Sequence, residues 1–370
     1  MKNIFGLKKN KQYNMLNEIF EQKKVFETLC QKFFDKDLNI ITDELPLDKY
    51  SRIVICASGS SKHAGEIAKY FIEGICQIPC SVEFASEFAH KDIVLNENEL
   101  FIAISQSGNT ADTFEALMKA KKKKAITFAL TNNIESKIHK NADYKVLADA
   151  GLEQSIAATK SFTAQLLILY IFAIALAEKI SGKTLDEIKK EFLTISEKYD
   201  DIFKQRETIK SIAKKIKKAK SVAIIGRHIN SALAQEGSLK IKETCYINAV
   251  HSPAGEFMHG HFAFLDKKVP LIGILSNYKD DEENYNLGLN NLCEVQSKRK
   301  TKTILLKTCG DNIAQEKIKS KFTIDIPAMS KWFMPFLSLV ALQLLAFETA
   351  TLIHDNIDEP RDLKKCVDNE

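Results

Sequence analysis

Short β-branched runs alternate with helix-length segments twice along this chain, and that rhythm narrows the available folds more than any other feature. Strands are predicted at Arg52–Ala57, Ser81–Phe84, Phe101–Ile104, Ala125–Leu130 and Tyr144–Leu147, most of them separated by a segment long enough for a helix. That is the mark of a doubly wound α/β unit with a parallel sheet. Leu152–Ile180 is predicted to close the unit as one long apolar helix. After the charged, helical stretch Leu185–Lys220 the pattern restarts. Strand Ser221–Ile225 ends in Gly226 and Arg227, helix Ser231–Cys245 follows, and further strands are expected at Val269–Leu275, Thr303–Lys307 and Phe322–Ile326. This restart mirrors Arg52–Gly74 and reads as a weak internal duplication. The expected fold class is α/β, two doubly wound parallel-sheet domains with a C-terminal tail. Their bounds are a helical segment over 1–45, a first domain over 46–185, a second over 186–345, and a helix end with tail over 346–370.

Composition rules out more than it selects. With 27% charged and 45% hydrophobic residues and a net charge of +5, the 370-residue chain is ordinary globular material. Lys119 and Lys121–Lys124 lack interleaved aromatics and fall where a helix should end, so a solvated helix end is expected and no nucleic-acid partner. The eight scattered cysteines read as reduced thiols of a cytoplasmic protein, and Cys76 and Cys80 have no second pair to make a zinc knuckle. Met1–Lys11 is basic but precedes no apolar leader segment. Phe162–Ala177 is short for a membrane span, and Trp332–Ile353 is interrupted by Pro335, Gln343 and Glu348. Both are expected to be buried helices, with no membrane partner.

Chemistry is most legible at residues 99–117. The apolar run Phe101–Ile104 leads into Ser105, Gln106, Ser107, Gly108, Asn109 and Thr110, and Asp112, Phe114 and Leu117 then begin an amphipathic helix. A strand feeding a helix through such a loop offers unpaired N–H groups and the positive end of the helix dipole to an anion. Hydroxyls and an amide without a counter-charge suit a phosphate monoester that must leave again; a capped βα turn is the plainer alternative. In the second unit, Glu236, Lys240 and Glu243 share one face of helix Ser231–Cys245. They form either a solvated ion-pair row or groups facing the crevice at the strand ends. Ser252–His261, with His251 just before it, holds Glu256, His259 and His261 near glycines, which suits proton transfer or, less well, a metal. Glu359–Val367, read plainly, is a disordered basic tail.

Together these pieces resemble the isomerase half of glucosamine-6-phosphate synthase, built from two flavodoxin-like sugar isomerase (SIS) domains. The resemblance runs from about Asn14 to Glu370. It rests on Asn17–Gln22, Gly59–Ser61, Ala85–Phe88, Ser105–Thr110, Ala157–Thr163, Glu236–Glu243, Gly255–Gly260 and Pro360–Val367. It implies that Ser105, Gln106, Ser107 and Thr110 hold a sugar 6-phosphate, with Ser61 nearby. Glu243 would carry a proton between C1 and C2 of the open-chain sugar. His259, from the partner subunit of a homodimer, would open the ring. Lys365 would form a Schiff base with the ketose carbonyl beneath a tail acting as lid. Lys240, Glu236 and the backbone of Ile156, Ala157 and Ala158 would line the pocket. No metal or cofactor is implied.

Three positions depart from that family's pattern: Asn109 stands in place of glutamate, Ala158 of serine and His261 of proline. Residue 2 is lysine and the first cysteine is Cys30, so the nucleophile of a glutaminase is not expected in this chain. The resemblance therefore implies an aminosugar-phosphate isomerase and deaminase, converting glucosamine 6-phosphate to fructose 6-phosphate with release of ammonia. Alternatives are a synthase subunit fed by a separate glutaminase, a deglycase of a 6-phosphorylated sugar–amine adduct, and a sugar-phosphate-sensing module.

Overall fold

The computed structural model describes residues 12–278 and 281–365. The basic Met1–Lys11 stretch and the Cys366–Val367 end of the tail motif lie outside them. The first half runs α1 (Asn14–Phe33), β1 (Arg52–Ala57), α2 (Gly59–Cys76), β2 (Cys80–Phe84), α3 (Ala85–His90), β3 (Glu99–Ser105), α4 (Ala111–Lys122), β4 (Ile126–Thr131), α5 (Lys137–Asn141), β5 (Tyr144–Leu147) and α6 (Lys160–Ser181). Helices α7 (Asp186–Leu193), α8 (Ile195–Phe203) and α9 (Arg206–Ile216) lead into the second half. That half runs β6 (Ser221–Gly226), α10 (Ile229–Cys245), β7 (Asn248–Pro253), α11 (Ala254–Phe257), β8 (Leu271–Leu275), α12 (Glu282–Arg299), β9 (Thr303–Thr308), α13 (Asn312–Ile318), β10 (Phe322–Ile326) and α14 (Met334–Ala350).

Each half holds a five-stranded parallel sheet, in the order β2-β1-β3-β4-β5 and, equivalently, β7-β6-β8-β9-β10. The chain is thus two doubly wound α/β units with one topology. In the first sheet the order reverses between β1 and β3, where such folds open a crevice at the carboxyl ends of the strands. Ala57 pairs with Ile104, so β1 and β3 end level and the loops that follow them emerge side by side.

The two units share one core. Small clusters fill the outer face of each sheet, while the largest combines both inner faces with α1, α2, α6, α10 and α14. Helix α6 is buried at every residue from Lys160 to Ala177, and α14 throughout, which is why both are apolar around their whole circumference. At 22 residues α6 is longer than the apolar run suggested and would suffice to span a bilayer, but 94% of its most apolar window is buried inside the protein.

Three segments differ from the sequence reading. Residues 152–159 are not the first turns of α6 but an irregular loop, held open by contacts from other elements. Asn248–Pro253 forms an unanticipated strand, β7; it lies at the sheet edge, where Asn248, His251 and Pro253 are tolerated and no long apolar run is needed. The helical N-terminal segment also stops at Phe33 rather than near residue 45. The lysine cluster does end helix α4, yet two of its members are tied down: Lys119 donates to the carbonyls of Ala89 and Lys91, and Lys121 to that of Asn141 at 2.6 Å.

Candidate active site

The loop between β3 and α4 is held in shape by its own side chains. Ser105 Oγ lies 2.9 Å from Thr110 Oγ1 and accepts from Gly108 N–H at 3.0 Å, while Ser107 Oγ accepts from Asn109 N–H at 3.2 Å. Gly108 has φ +67°, and a Cβ there would fall 2.1 Å from Ser136 Oγ, so both conformation and space require glycine. Asn109 accepts the Lys137 N–H through Oδ1 at 3.0 Å, tying the loop to the start of α5. Gln106, Ser107, Asn109, Asn132, Asp149 and Gly151 line an open cleft of about 490 Å³. Asp149 at its rim is paired with Lys32 at 2.8 Å. Ser61 stands half-buried in the first turn of α2, beside this loop through the β1–β3 register.

Helix α10 supplies the second group. Lys240, 1% exposed, lies 2.7 Å from Glu243 Oε2 and 3.4 Å from Glu236 Oε1. The Glu236 side chain is fully buried, whereas that of Glu243 keeps 22% exposure and alone of the three reaches solvent. The row is therefore not a solvated ion-pair face. Burial works against the charge on Lys240, but the Glu243 and Glu236 carboxylates hold the ammonium well above its ordinary pKa. Burial would likewise raise the Glu236 carboxyl; Lys240, then His63 and Ser60, bring it below the usual range.

The 152–159 loop and the tail form the third group. Glu153 is buried and accepts from Thr159 N–H (2.9 Å), Ser161 N–H (3.1 Å) and Ser161 Oγ–H (2.6 Å), which pins the start of α6. Its Oε2 also accepts from Lys365 Nζ at 2.6 Å, and Lys365 donates to the Ser155 carbonyl at 2.6 Å. Burial pushes Glu153 up, yet Lys365 and these donors leave it below the ordinary carboxylate range. Ile156 N–H donates to the Asp358 carbonyl at 2.9 Å, and Asp358 carboxylate oxygens cap the Asn14 and Met15 N–H groups at the start of α1. Arg361 N–H donates to Tyr246 Oη. The tail thus lies against the body rather than trailing away. Ala157 is buried, with Ile156 and Ala158 half-buried.

One residue links the first group to the third: Asn132 donates its N–H to the Gln106 carbonyl (3.1 Å), its Nδ2 donates to the Gly151 carbonyl (2.9 Å), and its Oδ1 accepts from Ala150 N–H (2.9 Å). Sequence reasoning missed Asn132, Glu153, Ser60 and His63. Only the Gly151 and Thr159 turn signals flanking the 152–159 loop hinted that this stretch is not helix. His259 stands apart: it is exposed in the turn after α11, and among the described residues no hydrogen bond or ion pair joins its ring to Glu243, Lys240 or Lys365. Among the described residues, no three His, Cys, Asp or Glu are grouped to hold an ion, and Glu256, His259 and His261 are all exposed.

Residues 47–175 and 215–353 each match the SIS domain. The chain belongs to the SIS-domain family. This SIS-domain protein is 38% identical over 364 residues to glutamine–fructose-6-phosphate aminotransferase (isomerizing) of Chlorobaculum tepidum, covering 95% of its own length and 58% of that relative. It thus spans little more than half the length of the curated relatives it matches. It superimposes on the C-terminal domain of glucosamine–fructose-6-phosphate aminotransferase from Francisella tularensis with a TM-score of 0.88 and 31% identity, covering 95% and 99% of the two chains. Glucosamine-6-phosphate deaminase of Thermotoga maritima shares the fold, with a TM-score of 0.75 at 23% identity over 96% and 99% of the two chains.

Proposed function

We propose that this chain is an aldose–ketose isomerase of hexosamine 6-phosphates that converts glucosamine 6-phosphate and water to fructose 6-phosphate and ammonia. One observation carries the reading: the 150s loop borders the cleft beside the β3–α4 loop through Gly151 and, a few residues on, holds Lys365 through Glu153 and Ser155. A sugar whose phosphate sits at Ser105, Gln106, Ser107 and Thr110 then extends its carbon chain toward the tail amine and toward Glu243. Ser61, Ala157 and the backbone of Ile156 and Ala158 border the same space, with Lys240 and Glu236 behind the base.

Each role has a physical warrant. N–H groups at the start of α4 and neutral hydroxyls hold a phosphate while allowing it to leave. Glu243 is the reaching carboxylate of its row, with Lys240 fixed beside it, and it takes the C2 proton and returns it to C1. The resulting C2 imine exchanges its nitrogen with Lys365: ammonia leaves, and water then frees the ketose from the lysine. Glu153, in contact with the amine, holds it in place, and the proton that Lys365 gives up passes to the departing nitrogen. His259, exposed on its turn, opens the ring of sugar bound in the neighbouring subunit of a homodimer. The enzyme needs no metal or cofactor for these steps and works in the cytoplasm.

The 38% identity to an aminotransferase favours a second reading, the same site run toward glucosamine 6-phosphate with ammonia from a separate glutaminase. Incubation of pure protein with glucosamine 6-phosphate tests the first: ammonia and fructose 6-phosphate appear in equal amounts. Absence of both, with glucosamine 6-phosphate formed from fructose 6-phosphate and ammonium, selects the second. No conversion in either direction rejects both.

A further inference from the structure

The base-bearing helix α10 does not stand on the first domain by apolar contact alone. His63, in the second turn of α2, places its ring Nδ1 2.8 Å from Glu236 Oε2, and Ser60 Oγ donates to Glu236 Oε1 at 3.0 Å. A carboxylate only accepts, so the imidazole nitrogen is the donor. Glu236 is completely buried, and its oxygens have no water to turn to. From there the row continues through Lys240 to Glu243.

We infer that His63 is a positioning residue for the general base: by occupying Glu236 Oε2 it leaves Lys240 held closer to Glu243 than to Glu236. The two distances are unequal, 2.7 Å to Glu243 against 3.4 Å to Glu236. A buried ammonium between two carboxylates moves toward whichever is less satisfied. Glu236 is the better satisfied because each of its oxygens already accepts from the first domain: Ser60 donates to Oε1, the oxygen that faces Lys240, and His63 donates to Oε2, which fixes the turn of the carboxylate. Without the imidazole, Glu236 draws Lys240 inward, and Glu243 loses the contact that orients it. The link also crosses between domains: the phosphate loop belongs to the first, the base to the second, and His63 joins the second to the first directly behind the site. This role rests on Glu243 being the base proposed above, but its geometric part does not.

The test is His63→Ala against His63→Asn, whose amide N–H falls where Nδ1 lies. Steady-state isomerase assays should show kcat for H63A down roughly ten- to a hundredfold with KM changed less than about twofold, and H63N restored to within about threefold of wild type. A crystal structure of H63A should show Lys240 Nζ nearer Glu236 than Glu243. Unchanged kcat, a KM effect alone, failure of H63N to rescue, or an unmoved Lys240 each overturns the inference. If H63A does not fold, Ser60→Ala removes the other donor and must lower kcat in the same sense; unchanged kcat overturns the inference. Wild-type protein inactive on every hexosamine or hexose 6-phosphate would defeat the proposed function, while the position of Lys240 in the H63A crystal would still decide the geometric claim.

Discussion

Lys365 Nζ lies 2.6 Å from Oε2 of Glu153, joining the C-terminal tail to the loop that precedes helix α6. Glu153 has no exposed side-chain surface, while Lys365 keeps 27%. The contact therefore holds the amine against a buried carboxylate without sealing it away from solvent. Glu153→Gln keeps an acceptor for the Thr159 and Ser161 N–H groups but turns an amide toward the ammonium. Borohydride trapping of fructose 6-phosphate on Lys365, followed by mass spectrometry, should fall at least about tenfold in E153Q, the loss of one charge-assisted contact. Limited proteolysis should at the same time cut the tail faster, with the body of the protein intact.

The β3–α4 loop should separate binding from turnover. Ser105→Ala removes a hydroxyl that accepts from Gly108 N–H and contacts Thr110, and is expected to raise KM roughly tenfold, about 1.4 kcal/mol, with kcat little changed. Gly108→Ala is harsher, because positive φ and the Ser136 contact oppose it together. It should destabilise the protein by about 2 kcal/mol or more, read from urea unfolding, and abolish measurable phosphate-ester binding.

Glu243 is expected to act on the chemical step. Glu243→Gln preserves shape and the neighbouring Lys240, yet should lower kcat by roughly 10²- to 10⁴-fold with KM within a few-fold of wild type. Exchange of the sugar C2 proton with deuterated water, followed by NMR, should disappear in parallel. Persistent exchange would remove Glu243 from the role of base.

Acid should weaken the fold through His251. Burial, then Lys242, His63 and Lys62 nearby, push this imidazole down to about 4 from an ordinary 6.5. On acidification the unfolded chain takes up the proton first, so the neutral ring's contribution is complete above pH 6.5 and is lost as pH falls toward 4. Urea midpoints measured at pH 7.5 and 5 should drop, and His251→Asn should flatten that drop.

How much of this was legible in the sequence follows from what each residue needs. Strands β1, β3, β4, β6, β8 and β9 are buried runs of β-branched and apolar residues, and their composition announces them. Edge strand β7 carries His251 and Pro253 and has no such run. The Ser105–Thr110 loop could be read because strand, small residues and helix start are consecutive. Glu153 could not: its partners are Lys365, distant in sequence, and Ser161, inside a stretch that looks helical from Leu152 onward. Glu236 reads as a surface acid on its own helix, since its burial comes from Ser60 and His63 on α2. Local pattern reports elements; contacts between distant elements decide which polar residues are buried.

A crystal of the protein soaked with glucosamine 6-phosphate tests the central claim most directly, that one sugar phosphate bridges the two SIS domains. Phosphate oxygens within hydrogen-bond reach of Ser105, Ser107 and Thr110, with C1 and C2 turned toward Glu243 and Lys365, are the expected result. Sugar density outside that cleft, or carbons facing away from both Glu243 and the tail amine, would contradict it.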